Sequence, residues 1–306
     1  MQTIDEDDFE PLPPRRPLFR RKRVLIPLGL LLAIVVAFLV LRTPDTDRDA
    51  MIAKYGGPGA AFAAGPAGQR VHYRDQGKRD GPVLLLLHGS NASLQTWEPL
   101  VKRLGGTYRI VTLDLPGHGL TGATPDTDYS ADGMMAAVDV VMAKLALDHF
   151  SIGGNSMGGW VAWRYALARP ERIDALLLID AAGMPLRKGE KAPPSNVGFR
   201  VLEYPFGRWL ATQITPRSLV EESLRGSIAK QDIVDDAMID RYWELLRFPG
   251  NREATVLRAR MDRQPAMASQ VSAITAPTLI LFGKKDRLIN PTAAQTFHER
   301  IAGSEV

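Results

Sequence analysis

The chain is 306 residues long and 45% hydrophobic, with a formal net charge of +4 and no cysteine. Without cysteine it can form no disulfide, use no thiolate nucleophile and bind no zinc through sulfur. Much of its basic character sits in one place, at Arg15, Arg16, Arg20, Arg21, Lys22 and Arg23, and no basic stripe interleaved with aromatics occurs elsewhere, so nucleic acid is not an expected partner.

This length allows one large α/β domain with additional segments. Met1 to Pro14 is acidic and proline-rich, a composition that predicts disorder in a basic-ended tail over 1–23. Val24 to Leu41 is apolar throughout and uncharged. At about 18 residues it reads as a membrane-spanning helix, with Pro27 near its start, where a helix tolerates it. Basic residues precede this run, whereas Arg42 and Arg48 after it are mixed with Asp45, Asp47 and Asp49. That asymmetry predicts a cytoplasmic N-terminus and places the rest of the chain on the outer, periplasmic or extracellular, side. The rival reading, a cleaved signal peptide, needs a small-x-small site, which Leu39-Val40-Leu41-Arg42-Thr43-Pro44 does not offer. Residues 42–67, rich in Gly, Ala, Pro and Asp, read as a linker.

An α/β alternation follows. Arg70 to Tyr73 suggests a strand, and Val83 to Leu87 and Tyr108 to Leu113 are apolar runs suited to strands buried on both faces. Ser130 can cap a helix running to about Leu147, with Met134, Val138, Val141 and Leu145 at helical spacing. Phe150 to Gly153 is a short strand, followed by a tight turn and a helix over Trp160 to Ala168. Ala175 to Ile179 and Thr278 to Phe282 are further buried strands. Strands separated by helices predict a largely parallel sheet covered on both faces. Between them, Pro193-Pro194 opens a long insertion with helical segments around Leu202–Leu210, Ser218–Ile228, Ile233–Leu246 and Glu253–Met261. It is too long for a connecting loop and reads as a helical cap over 184–265. The core would then occupy 68–183 and 266–306.

Gly154-Asn155-Ser156-Met157-Gly158 fits G-x-S-x-G between a strand and a helix. On such a turn a serine hydroxyl is exposed and its backbone strained, and the first helical N–H groups lie beside it. Four motifs stand in sequence: Leu87-His88-Gly89-Ser90-Asn91, Asp114-Leu115-Pro116-Gly117-His118-Gly119, Gly154-Asn155-Ser156-Met157-Gly158-Gly159 and Phe282-Gly283-Lys284-Lys285-Asp286-Arg287. In this order they resemble the α/β-hydrolase family. The resemblance covers about Gln69 to the C-terminus, apart from the variable cap.

It implies Ser156 as nucleophile, Asp286 as the acid that orients a histidine, and an oxyanion hole from the backbone N–H groups of Ser90 and Met157. Asp180, ending the previous strand, is an alternative acid position. His88 is read as holding its turn and Asp114 as part of a structural loop. The resemblance implies neither cofactor nor metal, and places the histidine after the next strand. Of the histidines in this chain, only His298 follows Asp286, and it falls on the helix read over Pro291–Ile301; His72, His118 and His149 match no base position. The chain therefore reads as truncated before its catalytic histidine, and as inactive in that form.

Serine at the elbow sets aside the branches that carry aspartate there. The expected substrate is a small-molecule carboxylic ester, with hydrophobic esters suited to an apolar cap near a membrane. A C–C bond hydrolase is the first alternative, although its oxyanion turn is usually richer in glycine than His88-Gly89-Ser90-Asn91-Ala92-Ser93. A non-catalytic, membrane-tethered binding protein is the second.

Overall fold

The computed structural model describes residues 18–191, 204–260 and 265–306. The expected disorder of Met1–Pro14, the Pro193-Pro194 pair and Met261 lie outside them. The chain divides into two compact units, Met1–Arg42 and Thr43–Val306.

In the first unit, α1 spans Leu18–Leu41. The expected membrane span is not found: among the described residues, no helix is long and apolar enough to cross a membrane. The helix begins on the basic residues Arg20 to Arg23, so its apolar part starts only at Val24. At 1.5 Å per residue that part is about 27 Å long, against a hydrocarbon thickness of about 30 Å.

The second unit holds a seven-stranded sheet: β1 Ala60–Ala64, β2 Arg70–Gly77, β3 Val83–Leu87, β4 Arg109–Leu113, β5 Phe150–Asn155, β6 Ile173–Ile179 and β7 Thr278–Leu281. Their spatial order is β1-β2-β4-β3-β5-β6-β7. The β1–β2 and β2–β4 pairs are antiparallel and all later pairs are parallel. Both faces are covered, as the continuous apolar strands require. Leu85 and Leu87 enter one cluster, with Met134, Val138 and Val141 from α4 (Ala131–Lys144) and Val161 and Trp163 from α5 (Met157–Ala168). Leu84 and Leu86 enter the opposite cluster with Trp97, against Leu100, Val101 and Leu104 of α3 (Glu98–Leu104). The alternation within one strand follows from its pleat. Ser130 caps α4 as its sequence signals, its hydroxyl accepting from the Gly133 N–H.

Beyond β7, the Ile280 N–H donates to the Glu305 carbonyl and the Glu305 N–H to the Thr278 carbonyl, a parallel bridge.

The stretch read as a linker carries ordered elements: α2 (Arg48–Tyr55), capped by Asp47, and the edge strand β1. Short, weakly apolar elements such as these carry little periodic signal. The inserted helices are α6 (Pro205–Gln213), α7 (Arg217–Ser227), α8 (Asp236–Leu246) and α9 (Asn251–Arg260). α7 and α8 pack on each other through Val220, Leu224 and Ile239. The last helix, α10 (Thr292–Arg300), buries Ala293, Ala294 and Phe297.

Candidate active site

Ser156 stands between β5 and α5 with φ +53° and ψ −114°, outside the regions an L-residue ordinarily occupies. The fold holds it there: its N–H donates to the Ile179 carbonyl on β6, and its carbonyl accepts from the N–H groups of Trp160 and Ala182. Two glycines permit the turn. A Cβ on Gly154 would lie 2.2 Å from the Gly158 carbonyl carbon, and one on Gly158 would lie 2.2 Å from the Leu87 carbonyl oxygen. Both clashes are with backbone, so only glycine fits.

Opposite the serine, Gly89 to Ala92 form a β-turn closed by the Ala92 N–H on the Gly89 carbonyl. Asn91, third in that turn, has φ +58°, the conformation that position of a type II turn requires. His88 is wholly buried and fixes the turn. Its Nδ1 donates to the Gly89 carbonyl at 2.7 Å, and its Nε2 accepts from the Leu115 N–H at 3.0 Å. Burial lowers its pKa, as a neutral ring with one accepting nitrogen demands. Asp114 is also wholly buried: it bonds His72 Nδ1 at 2.7 Å and accepts from the Leu94 and Leu120 N–H groups. Burial pushes its carboxyl upward, but the bond from His72 and these other partners outweigh it and hold it below the usual range. His88 and Asp114 are thus committed to holding loops.

The serine and this turn border a cavity of about 840 Å³. Ser90, Asn91, Ser156, Asp180 and Asp286 line its core side, and Ala211, Ile214, Leu219, Val220, Leu224 and Ile228 its cap side. Met157 contributes no wall; it is buried at the start of α5, where its N–H is the first of the helix. Asp286 Oδ1 accepts from the Leu288 and Ile289 N–H groups at 2.7 and 3.0 Å. Asp180 Oδ1 accepts from the Gly283 N–H at 2.7 Å. Burial, then the charge of Asp286, raises the Asp180 pKa, with the Gly283 N–H opposing. The structure therefore brings Ser90, Ser156, Asp180 and Asp286 to one cavity.

It does not bring a histidine there. None of the five histidines lines the cavity. His298 is exposed on the last turn of α10, 3.0 Å from Ser304 Oγ through Nδ1.

A model of the α/β-hydrolase-fold family matches residues 82–214. This chain has the α/β-hydrolase fold. It is 25% identical over 245 residues to 2-hydroxy-6-oxo-6-(2'-aminophenyl)hexa-2,4-dienoic acid hydrolase of Metapseudomonas resinovorans, covering 78% of each chain. It is 27% identical over 247 residues to monoacylglycerol lipase abhd6-A of Xenopus laevis, covering 76% of this chain and 70% of the relative. Among solved structures it resembles an esterase from Exiguobacterium antarcticum, with TM-score 0.67 and 25% identity over 80% of this chain and 88% of that one.

Among the cavity residues that the sequence did not mark as site residues, three matter most here. Asn91 was visible only as part of a motif, and Thr255 and Arg252 lie in inserted helices that carry no motif. Arg252 is buried and ties the cavity wall to the segment after α1: Nη1 donates to the Thr43 carbonyl at 2.8 Å and Nη2 to Asp45 Oδ1 at 2.6 Å. Thr46 and Lys54 continue that strap onto α8, the Thr46 N–H on the Arg247 carbonyl and Lys54 Nζ on Glu244.

Proposed function

We propose that the protein is a serine hydrolase of carboxylic esters with hydrophobic acyl chains, acting through an acyl-enzyme on Ser156. The observation that carries this reading is a strained serine at a helix N-terminus, opening onto a cavity whose far wall is mostly aliphatic. Attack by Ser156 Oγ on the ester carbonyl would place negative charge on the carbonyl oxygen. The N–H groups of Ser90 and Met157 are the donors for it, and the loss of one such donor costs about 2.7–4 kcal/mol of transition-state stabilisation in comparable sites. Asp286 is the acid in this reading, its Oδ2 left for a histidine N–H while Oδ1 holds its own loop. Likeness to a lipase and an esterase supports ester chemistry; likeness to a C–C bond hydrolase keeps that reaction as the alternative.

A serine hydroxyl is a weak nucleophile without a base, and no histidine reaches this cavity. Hydrolysis by these 306 residues should therefore be slow and rescued by added imidazole, which is small enough to enter the cavity. General-base catalysis contributes about 10²–10⁴-fold, so partial rescue should raise the rate at least tenfold for a medium-chain p-nitrophenyl ester. Ser156→Ala should abolish both the basal and the rescued rate. Imidazole-independent hydrolysis that is lost in His298→Ala would make His298 the base. Hydrolysis unchanged in Ser156→Ala would overturn the mechanism, and turnover of a vinylogous diketone but not of esters would favour C–C cleavage.

A further inference from the structure

The amide of Asn91 is held by α9. Its Oδ1 lies 3.1 Å from Arg258 Nη2 and 3.2 Å from Thr255 Oγ1. Arg258 also donates through Nη1 to the Gly117 carbonyl at 3.1 Å and through Nη2 to Thr255 Oγ1 at 2.9 Å, so its head is locked from three sides. A guanidinium has donors only. The atom of Asn91 that faces it must therefore be the carbonyl oxygen, and the flip state of the amide follows from chemistry. The NH₂ group is left pointing away from α9, and Asn91 lines the cavity on the turn that also carries Ser90.

The Thr255 hydroxyl also faces the Asn251 carbonyl at 2.9 Å and has one proton to give, so the charged bond from Arg258 is the one that polarises the carboxamide and strengthens its N–H donors. The left-handed backbone at Asn91 aims it, and asparagine tolerates that conformation better than other residues with a side chain.

We propose that the Asn91 side-chain NH₂ is a substrate-binding donor beside the oxyanion turn, hydrogen-bonding an oxygen of the ester group. This rests on the ester-hydrolase reading and extends it: the inserted helix α9 acts on the ester group through Asn91. Thr255 and Arg258 are positioning residues. Ester recognition is thereby tied to seating of the cap, because the amide is oriented only while α9 lies against the turn.

Asn91→Asp separates this role from a structural one. Aspartate keeps the shape and the tolerance of positive φ, and its carboxylate accepts from Arg258 and Thr255 at least as well. It loses the donor and offers an ester oxygen only repulsion. The measurement is the Kd of a medium-chain methyl ester for the Ser156→Ala protein, with and without Asn91→Asp, alongside Tm. The expected result is at least tenfold weaker binding with Tm unchanged or higher. Asn91→Gly, which keeps the backbone conformation and lacks the amide, should weaken binding by a smaller factor and serves if the aspartate variant does not fold. Affinities within twofold of each other, or no ester binding to any of these proteins, would overturn the proposal. Persistent hydrolysis by Ser156→Ala would instead overturn the serine mechanism, while the binding comparison would still read Asn91.

Discussion

The cavity has two unlike walls. On the core side, each feature is fixed by backbone: a serine at φ +53°, glycines with no room for a Cβ, a turn closed on buried His88. On the cap side, the lining is mostly aliphatic, interrupted by Thr215, Ser223, Tyr242, Arg252 and Thr255, and its helices are held by side-chain bonds, among them Arg252 to Thr43 and Asp45 and Arg258 to Asn91. Backbone-fixed geometry is intolerant and precise; side-chain-held geometry can loosen in steps. The first wall suits chemistry that needs donors at fixed distances. The second suits an acyl chain, for which burial matters more than direction.

The largest effect is expected from Gly158→Ala on the core side. Its methyl carbon would sit 2.2 Å from the Leu87 carbonyl oxygen and 2.6 Å from the His88 carbonyl oxygen, both backbone. Neither strand β3 nor the turn after it can give way without disturbing its sheet pairing. A loss above about 4 kcal/mol is expected, seen as failure to accumulate soluble protein or a collapsed Tm. A variant that folds with near-normal Tm would break the comparison at its firmest point.

The cap side should respond by degrees. Arg252→Ala removes the buried guanidinium that joins Thr43, Asp45 and the cavity wall. Asp45 remains partly exposed and can return to water, so the lost charged hydrogen bonds cost about 1.5–3 kcal/mol, to which the loss of the packed stem of this buried side chain adds. The expected signature is early proteolytic cleavage within the inserted helices while the sheet stays protected, because local opening precedes global unfolding where side-chain ties are cut. Simultaneous loss of protection in both regions would show that cap and core unfold as one unit.

The same contrast explains what the sequence disclosed. Glycines and a serine at fixed spacing announce the elbow, because few residue types survive there. The buried strands announce themselves as apolar runs, and Asp286 by the turn after β7. The cap shows itself only as helical periodicity, and its contribution to the site, Thr255 and Arg258 on Asn91, consists of ordinary polar residues whose meaning depends on a contact more than 160 residues away in the chain. The strap over 43–56 was invisible for the same reason: Thr43, Asp45 and Thr46 look like linker residues until their partners on the inserted helices are known. The apolar run over 24–41 misled in the other direction: at about 18 residues it lies at the short limit for a membrane span, and the helix that carries it takes in the charged turn Arg20 to Arg23.

The smallest effect, and the most informative about the core wall, concerns its two carboxylates. Asp180 has its pKa raised by burial and by Asp286, so the folded protein binds a proton there more tightly than the unfolded chain does. Stability from this group is therefore fully present below the unfolded value near 3.8 and is lost as pH rises through the raised folded value. At neutral pH the ionised Asp180 is a strain on the fold. Asparagine keeps an oxygen to accept from the Gly283 N–H and carries no charge. Asp180→Asn should thus raise Tm at pH 7, with the gain shrinking as pH falls through the raised folded value of Asp180 and gone by the unfolded value near 3.8, where the aspartate is neutral in both states. A lower Tm at pH 7 would show that the charge is needed by a partner the cavity presents. The variant also separates the two acids in function. If Asp286 is the acid, Asp180→Asn should leave Ser156-dependent ester hydrolysis within about threefold of the parent, a fraction of a pKa unit in energy; a stabilised protein with a much larger loss of rate would transfer the role to Asp180.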